Sequence, residues 1–176
     1  MSENRVVVLT GAARGIGRAT AVAFAREGYS IAGADIAALV SSAMDYHPAT
    51  PEDLAETGRL VREAGSSAWL PLVFDQRDRR AVKDGFNQVV EGFGGIDVVF
   101  ANAGVQGFAS LLQMSDELWD DQIDVNLTGT ANVLRAAAPL RRCSSSAGAD
   151  GSSSRPPPRV STAPSTAQAT RRPSGD

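Results

Sequence analysis

A chain of 176 residues with a formal net charge of -3 and 43% hydrophobic residues has enough apolar material for one domain with a sizeable core. The charge balance excludes the basic footprint of a nucleic-acid binder, and a single cysteine, Cys143, excludes an internal disulfide. No apolar run approaches the roughly 18 residues needed to span a bilayer, and no basic segment with an apolar core opens the chain. A soluble, cytoplasmic protein with neither nucleic acid nor membrane as partner is expected.

Arg5 to Thr10 reads as a short, wholly apolar strand, the kind found where a parallel sheet is covered on both faces. Thr10-Gly11-Ala12-Ala13-Arg14-Gly15-Ile16-Gly17 follows and opens a helix. Strand, glycine-rich turn and helix in that order make a candidate phosphate cradle, because glycines let the backbone approach a diphosphate while helix-start amides point at it. Ile16, Ala19 and Ala23 predict a small-residue face, Gly28 a C-terminal cap, and Ser30 to Ala34 a second strand ending at Asp35.

Residues 36–49 form a longer, irregular connection before Thr50-Pro51-Glu52-Asp53, which reads as a helix start with Thr cap, first-position Pro and an acid three residues on. Leu54, Val61 and Ala64 share one side of that helix. A third strand, about Ala68 to Phe74, ends at Asp75. Val82, Phe86, Val89 and Phe93 mark the next helix, and Gly94-Gly95 stops it. Ile96 to Ala101 is a fourth strand, followed by Asn102-Ala103-Gly104. Ser115 can cap a long helix running to about Ala138, with Leu127, Ala131, Leu134 and Ala138 as its later face. Strands alternating with helices predict an α/β fold, a Rossmann-type doubly wound parallel sheet, truncated after about four strands. Right-handed crossovers place the first and fourth strands side by side, with a crevice above their C-terminal ends.

After Leu140 the composition changes. From Arg141 to Asp176 there is no Phe, Tyr, Trp, Ile, Leu or Met, and Val160 is the only branched aliphatic. Ordering a residue costs roughly 1 to 2 kcal/mol, and this segment has little apolar area to offset it. Two units are therefore expected: an incomplete dinucleotide-binding domain over 1–140 and a disordered, low-complexity tail over 141–176.

The glycine turn, Asp35 after the second strand, Asp75 after the third, Asn102-Ala103-Gly104 after the fourth and Asn126 inside the next helix together resemble the short-chain dehydrogenase/reductase family. The resemblance covers about residues 5–138 and implies an NAD-dependent oxidoreductase acting on an alcohol or carbonyl, homo-oligomeric in the family. It implies that Gly11, Gly15 and Gly17, with Arg14 and Ile16 between them, hold the pyrophosphate. Asp35 would accept the adenosine ribose hydroxyls, Asp75 would meet the adenine amino group, and Asn102, Ala103 and Gly104 would lie under the ribose. Asn126 is the implied catalytic residue, positioning a water in the proton relay. A carboxylate at Asp35 repels a 2′-phosphate and selects NAD over NADP, although a guanidinium at Arg14 can reach such a phosphate. His47 offers no zinc site or triad, and Trp69 and Trp119 read as packing residues.

The family's reactive groups are a tyrosine, a lysine four residues later and an upstream serine. Tyr29 and Tyr46 have Gly33 and Thr50 at that spacing, and Lys83 is the only lysine, so no Tyr-x-x-x-Lys motif exists. The sequence therefore reads as a truncated or frame-shifted oxidoreductase, inactive alone and with an open edge at the fourth strand. The alternatives are a non-catalytic NAD or adenine-nucleotide module, or a fragment that does not fold alone.

Overall fold

The computed structural model describes residues 5–44, 46–66 and 68–140. Cys143 and the tail expected over 141–176 lie outside the described residues. In chain order the elements are β1 (Val6–Thr10), α1 (Gly15–Arg26), β2 (Ser30–Asp35), α2 (Pro51–Glu63), β3 (Trp69–Val73), α3 (Arg79–Phe93), β4 (Val98–Phe100) and α4 (Asp116–Ile123). A π-helical turn (Asp124–Gly129) then leads into α5 (Thr130–Ala137) and a 3-10 turn (Ala138–Leu140).

Four parallel strands form one sheet in the order β3-β2-β1-β4. Val8 of β1 stands opposite Ala32 on one side and Val99 on the other, so the expected adjacency of first and fourth strands holds. Among the described residues β4 pairs with β1 alone. Every residue of β1 is buried, as an unbroken apolar run demands of a strand covered on both faces. Alternate side chains serve two cores: Val6 and Val8 pack with Phe86, Val89 and Val133 under α3 and α5, while Val7 and Leu9 pack with Ala21, Leu54 and Val61 under α1 and α2. No helix among the described residues is long and apolar enough to cross a membrane.

Local signals account for most boundaries. Thr50 accepts the Asp53 amide while Asp53 accepts the Thr50 amide, the reciprocal box that starts α2 ahead of Pro51. Asp78 caps α3 and Ser115 caps α4. Trp69 fills a slot made by two glycines: a Cβ on Gly33 would lie 2.2 Å from its ring and one on Gly58 2.3 Å.

Two predicted faces are corrected. The buried stripe of α1 is Gly17, Ala21 and Ala25, with Ile16 61% exposed and Ala19 and Ala23 also outward. A helix lying on the glycine turn can bring only its smallest residues inward. In the last helix Val125, Gly129, Val133 and Ala137 face the core, whereas Leu127, Ala131 and Ala138 are exposed and only Leu134 packs at its edge. Trp119, expected as a packing residue, is 52% exposed.

Candidate functional site

The site grows from the turn between β1 and α1. Gly11 and Gly15 adopt φ of 69° and 55°, a region that L side chains enter only at a cost. Gly17 meets a different constraint, since a Cβ there would lie 1.9 Å from the Gly11 carbonyl oxygen. The turn's other carbonyls are drawn toward α2: buried Thr57 donates its hydroxyl to Ala12 at 2.9 Å, and Arg18 donates to the Ala13 carbonyl. Helices α2, α3 and α4 start under capping side chains, but the N-cap of α1 is Arg14, which makes no capping bond. The start of α1 thus presents helix-end amides without a side-chain cap among the described residues, the arrangement that receives an anion.

Two further contacts fix the strand ends around this turn. Asp35, at the end of β2, accepts the Ala13 amide on one carboxylate oxygen and the Ala37 amide on the other, both at 3.0 Å. Thr10 Oγ1 accepts the amides of Asn102 and Ala103 at 3.1 Å, and Asn102 Nδ2 donates to the Thr10 carbonyl at 3.2 Å. The end of β4 is thereby stapled to the end of β1. A Cβ on Gly11 would lie 2.9 Å from both Ala103 Cα and Asn102 Nδ2, so Gly11 also lets these two segments approach.

Asp75, beyond β3, is engaged by Arg77. Its Oδ1 accepts the Arg77 amide at 2.9 Å, and its Oδ2 lies 2.7 to 2.8 Å from two guanidinium nitrogens. Arg77 also bonds Asp121 of α4 at 2.9 Å and the Val40 carbonyl at 3.2 Å. The Asp75 carboxylate hydrogen-bonded to Arg77 is the foremost cause that raises the guanidinium's pKa. Arg14 donates to the His47 carbonyl and stands 5.7 Å from the Tyr46 ring, so its guanidinium is held at the 36–49 connection.

Asn126 sits within the π-helical turn, where the regular i to i+4 ladder is broken. Its carboxamide pairs reciprocally with the backbone of Val105, accepting at 2.9 Å and donating at 2.8 Å. A Cβ on Gly104 would lie 2.9 Å from Asn126 Oδ1.

A cleft of about 530 Å³ runs over these strand ends. Gly11, Arg14, Ile16, Asp35, Asp75, Asn102, Ala103, Gly104 and Asn126 all line it. Gly15 and Gly17 do not: Gly17 is buried against the turn and Gly15 is exposed at its positive φ. Sequence reasoning missed Gln76 and Tyr46, which also line the cleft. For Gln76 a usable signal existed, a polar residue directly after an acid at the C-terminal end of a parallel strand, where the crevice of such a sheet lies.

Comparison with known proteins agrees with this architecture. The short chain dehydrogenase family model matches residues 5–149. An uncharacterized NAD-dependent oxidoreductase of Mycobacterium tuberculosis is 50% identical over 139 residues, which are 77% of this chain and 49% of that protein. The crystal structure of a short chain dehydrogenase from Mycobacterium paratuberculosis bound to NAD matches with a TM-score of 0.75 and 41% identity, over 78% of this chain and 51% of that one. Carveol dehydrogenase from Mycobacterium avium in complex with NAD matches with a TM-score of 0.74 and 38% identity, over 79% and 50%. This chain spans about half the length of the relatives it matches. With the glycine turn, the strand order and the sequence match in agreement, the chain belongs to the short chain dehydrogenase family.

Proposed function

We propose that this chain holds NAD in the cleft above β1 and β4 and is the cofactor-binding part of an oxidoreductase acting on an alcohol or carbonyl. The observation that carries this reading is the uncapped start of α1 beside Asp35, on a turn whose close packing against itself and the end of β4 requires glycine at Gly11 and Gly17. The start of α1 would take the pyrophosphate. Asp35 keeps lone pairs beyond its two backbone bonds and would accept the ribose hydroxyls, and its charge disfavours a 2′-phosphate. Arg14, the residue that would favour NADP, is engaged with His47 and Tyr46. Relatives described as NAD-dependent or bound to NAD support the same choice.

Bound NAD would supply the hydride acceptor, and the residues of this chain would position it. Asn126 would serve the proton relay from its π-helical turn. The phenol and ammonium that the relay requires have no match at Tyr29, Tyr46 or Lys83. The reading for these 176 residues is accordingly binding without turnover.

Isothermal titration of NAD and NADP into the chain tests the cofactor reading, with tighter binding of NAD expected. Tighter NADP, or no binding of either, overturns it. Reduction of NAD by the chain alone with an alcohol overturns the second part.

A further inference from the structure

Gln76 is 6% exposed, lies directly after Asp75 and makes none of the contacts assigned to the cofactor above. Its single side-chain nitrogen donates to two carbonyls on two different segments: Ala103 at 3.1 Å and Val125 at 2.8 Å. Each carbonyl belongs to the residue just before a member of the Gly104–Asn126 contact. We infer that Gln76 is a positioning residue, the inner brace that holds Asn126 against the 103–105 segment. The inference rests on the reading of Asn126 and the cleft given above, and it names a residue that sets their geometry.

Three observations converge on it. First, Val125 lies in the π-helical turn, where broken helical bonding makes a carbonyl available to a side chain, and the Thr130 amide at the end of that turn bonds Leu127. Second, the brace is itself fixed. The Gln76 carbonyl accepts buried Asn132 Nδ2 of α5 at 3.1 Å, and a Cβ on Gly129, the last residue of the π-helical turn, would lie 2.5 Å from Gln76 Cγ, so backbone and side chain of Gln76 are both packed against this helix. Third, the chemistry is specific to a primary amide. Two carbonyls need two hydrogens from one atom at this reach, which Gln supplies and Glu, Met or Leu cannot. Gln76 Oε1 is buried without a hydrogen-bond partner among the described residues, a cost that an apolar residue would avoid. The two bonds made by the nitrogen offset that cost.

The test is nuclear magnetic resonance of the full chain, following the Asn126 carboxamide and, as a control for global stability, the buried Val8 amide. In Gln76→Met both donors are lost. Asn126 carboxamide protons are expected to exchange with solvent about tenfold faster, a modest net effect for the loss of both hydrogen bonds, with Val8 changed far less. In Gln76→Glu the ionised carboxylate opposes two carbonyls at neutral pH, whereas the protonated acid donates to one of them. Asn126 signals should therefore move back toward the parent's as pH falls through that carboxyl's titration. Asn126 signals unchanged in both variants overturn the brace. So does a Gln76→Met chain in which Asn126 and Val8 exchange accelerate equally and Gln76→Glu shows no recovery at low pH. NAD titrated into the parent chain reads the cofactor separately: failure to bind defeats the reading of the cleft and leaves the brace standing or falling on the ligand-free spectra.

Discussion

The Asp35 carboxylate accepts the Ala13 amide at 3.0 Å, joining the acid at the end of β2 to the middle of the glycine turn across 22 residues of sequence. The acid that would read the ribose thus also braces the turn that would read the pyrophosphate. Its second oxygen holds the amide of Ala37, which sits at a φ of 50° outside the glycine positions. One side chain therefore supports the turn, the first residues of the 36–49 connection and the proposed choice of cofactor. Asp35→Ala should cost about 1 to 3 kcal/mol of stability, because two backbone amides lose their acceptor, and NAD affinity should fall by at least about tenfold. Asp35→Asn retains one acceptor oxygen and should fall between, with the NADP to NAD affinity ratio raised in both variants. Chemical denaturation and calorimetry check the two effects, and unchanged stability would show that the Ala13 contact contributes nothing.

Gly15 and Gly17 should respond differently to the same added methyl group. At Gly17 a Cβ would lie 1.9 Å from the Gly11 carbonyl, so the turn must rebuild. Gly17→Ala is expected to lose about 3 kcal/mol or more and to abolish NAD binding. At Gly15 no atom stands within 4 Å and the cost is its φ of 55° alone, about 1 to 2 kcal/mol. Urea midpoints of the two variants give the order, and equal losses would contradict the packing role of Gly17.

What the sequence revealed follows from the range of the interactions. Val6 to Thr10 and the Val82, Phe86, Val89 stripe were readable because local periodicity and burial coincide there. The last helix was misread because it carries two apolar stripes. Trp119, Ile123, Leu127 and Ala131 recur at a spacing of four and are exposed, while Val125, Gly129, Val133 and Ala137 recur likewise and are buried. Periodicity finds a stripe but not what covers it. The resemblance points to Asn126, yet its brace at Gln76 depends on contacts spanning 27 and 49 residues, which no local pattern encodes.

Acid should weaken the start of α2. The Thr50 backbone contact, with Arg18 also contributing, holds the Asp53 carboxyl below the ordinary value of 3.8. A folded-state pKa below the unfolded one gives stability that is present above about pH 4 and lost as pH falls through the folded value. Asp53→Asn should therefore flatten the acid limb of the stability profile. Thr50→Ala, which removes the reciprocal cap, should cost about 1 kcal/mol near neutrality. Thermal unfolding from pH 7 to pH 3 distinguishes the two, and an acid limb unaltered in Asp53→Asn would assign it to other carboxylates.

Arg77 ties two residues that line the cleft, Asp75 beyond β3 and Val40 in the long connection, to Asp121 on α4 through one planar group. The guanidinium is 28% exposed and Asp121 16%, so solvent screens the cluster only in part. One oxygen of Asp121 is already buried without a partner among the described residues. Arg77→Met would leave two carboxylates facing one another's charge across the vacated space, at a cost of about 2 kcal/mol, between the ranges for exposed and buried pairs. Arg77→Lys keeps the charge but not the fork, and it should recover less than half of that loss. A structural consequence separates this from simple charge loss: the Val40 segment should become more open to proteolysis in both variants, because neither replaces the bond to its carbonyl. A Lys variant as stable and as protected as the parent would show that charge alone holds the wall.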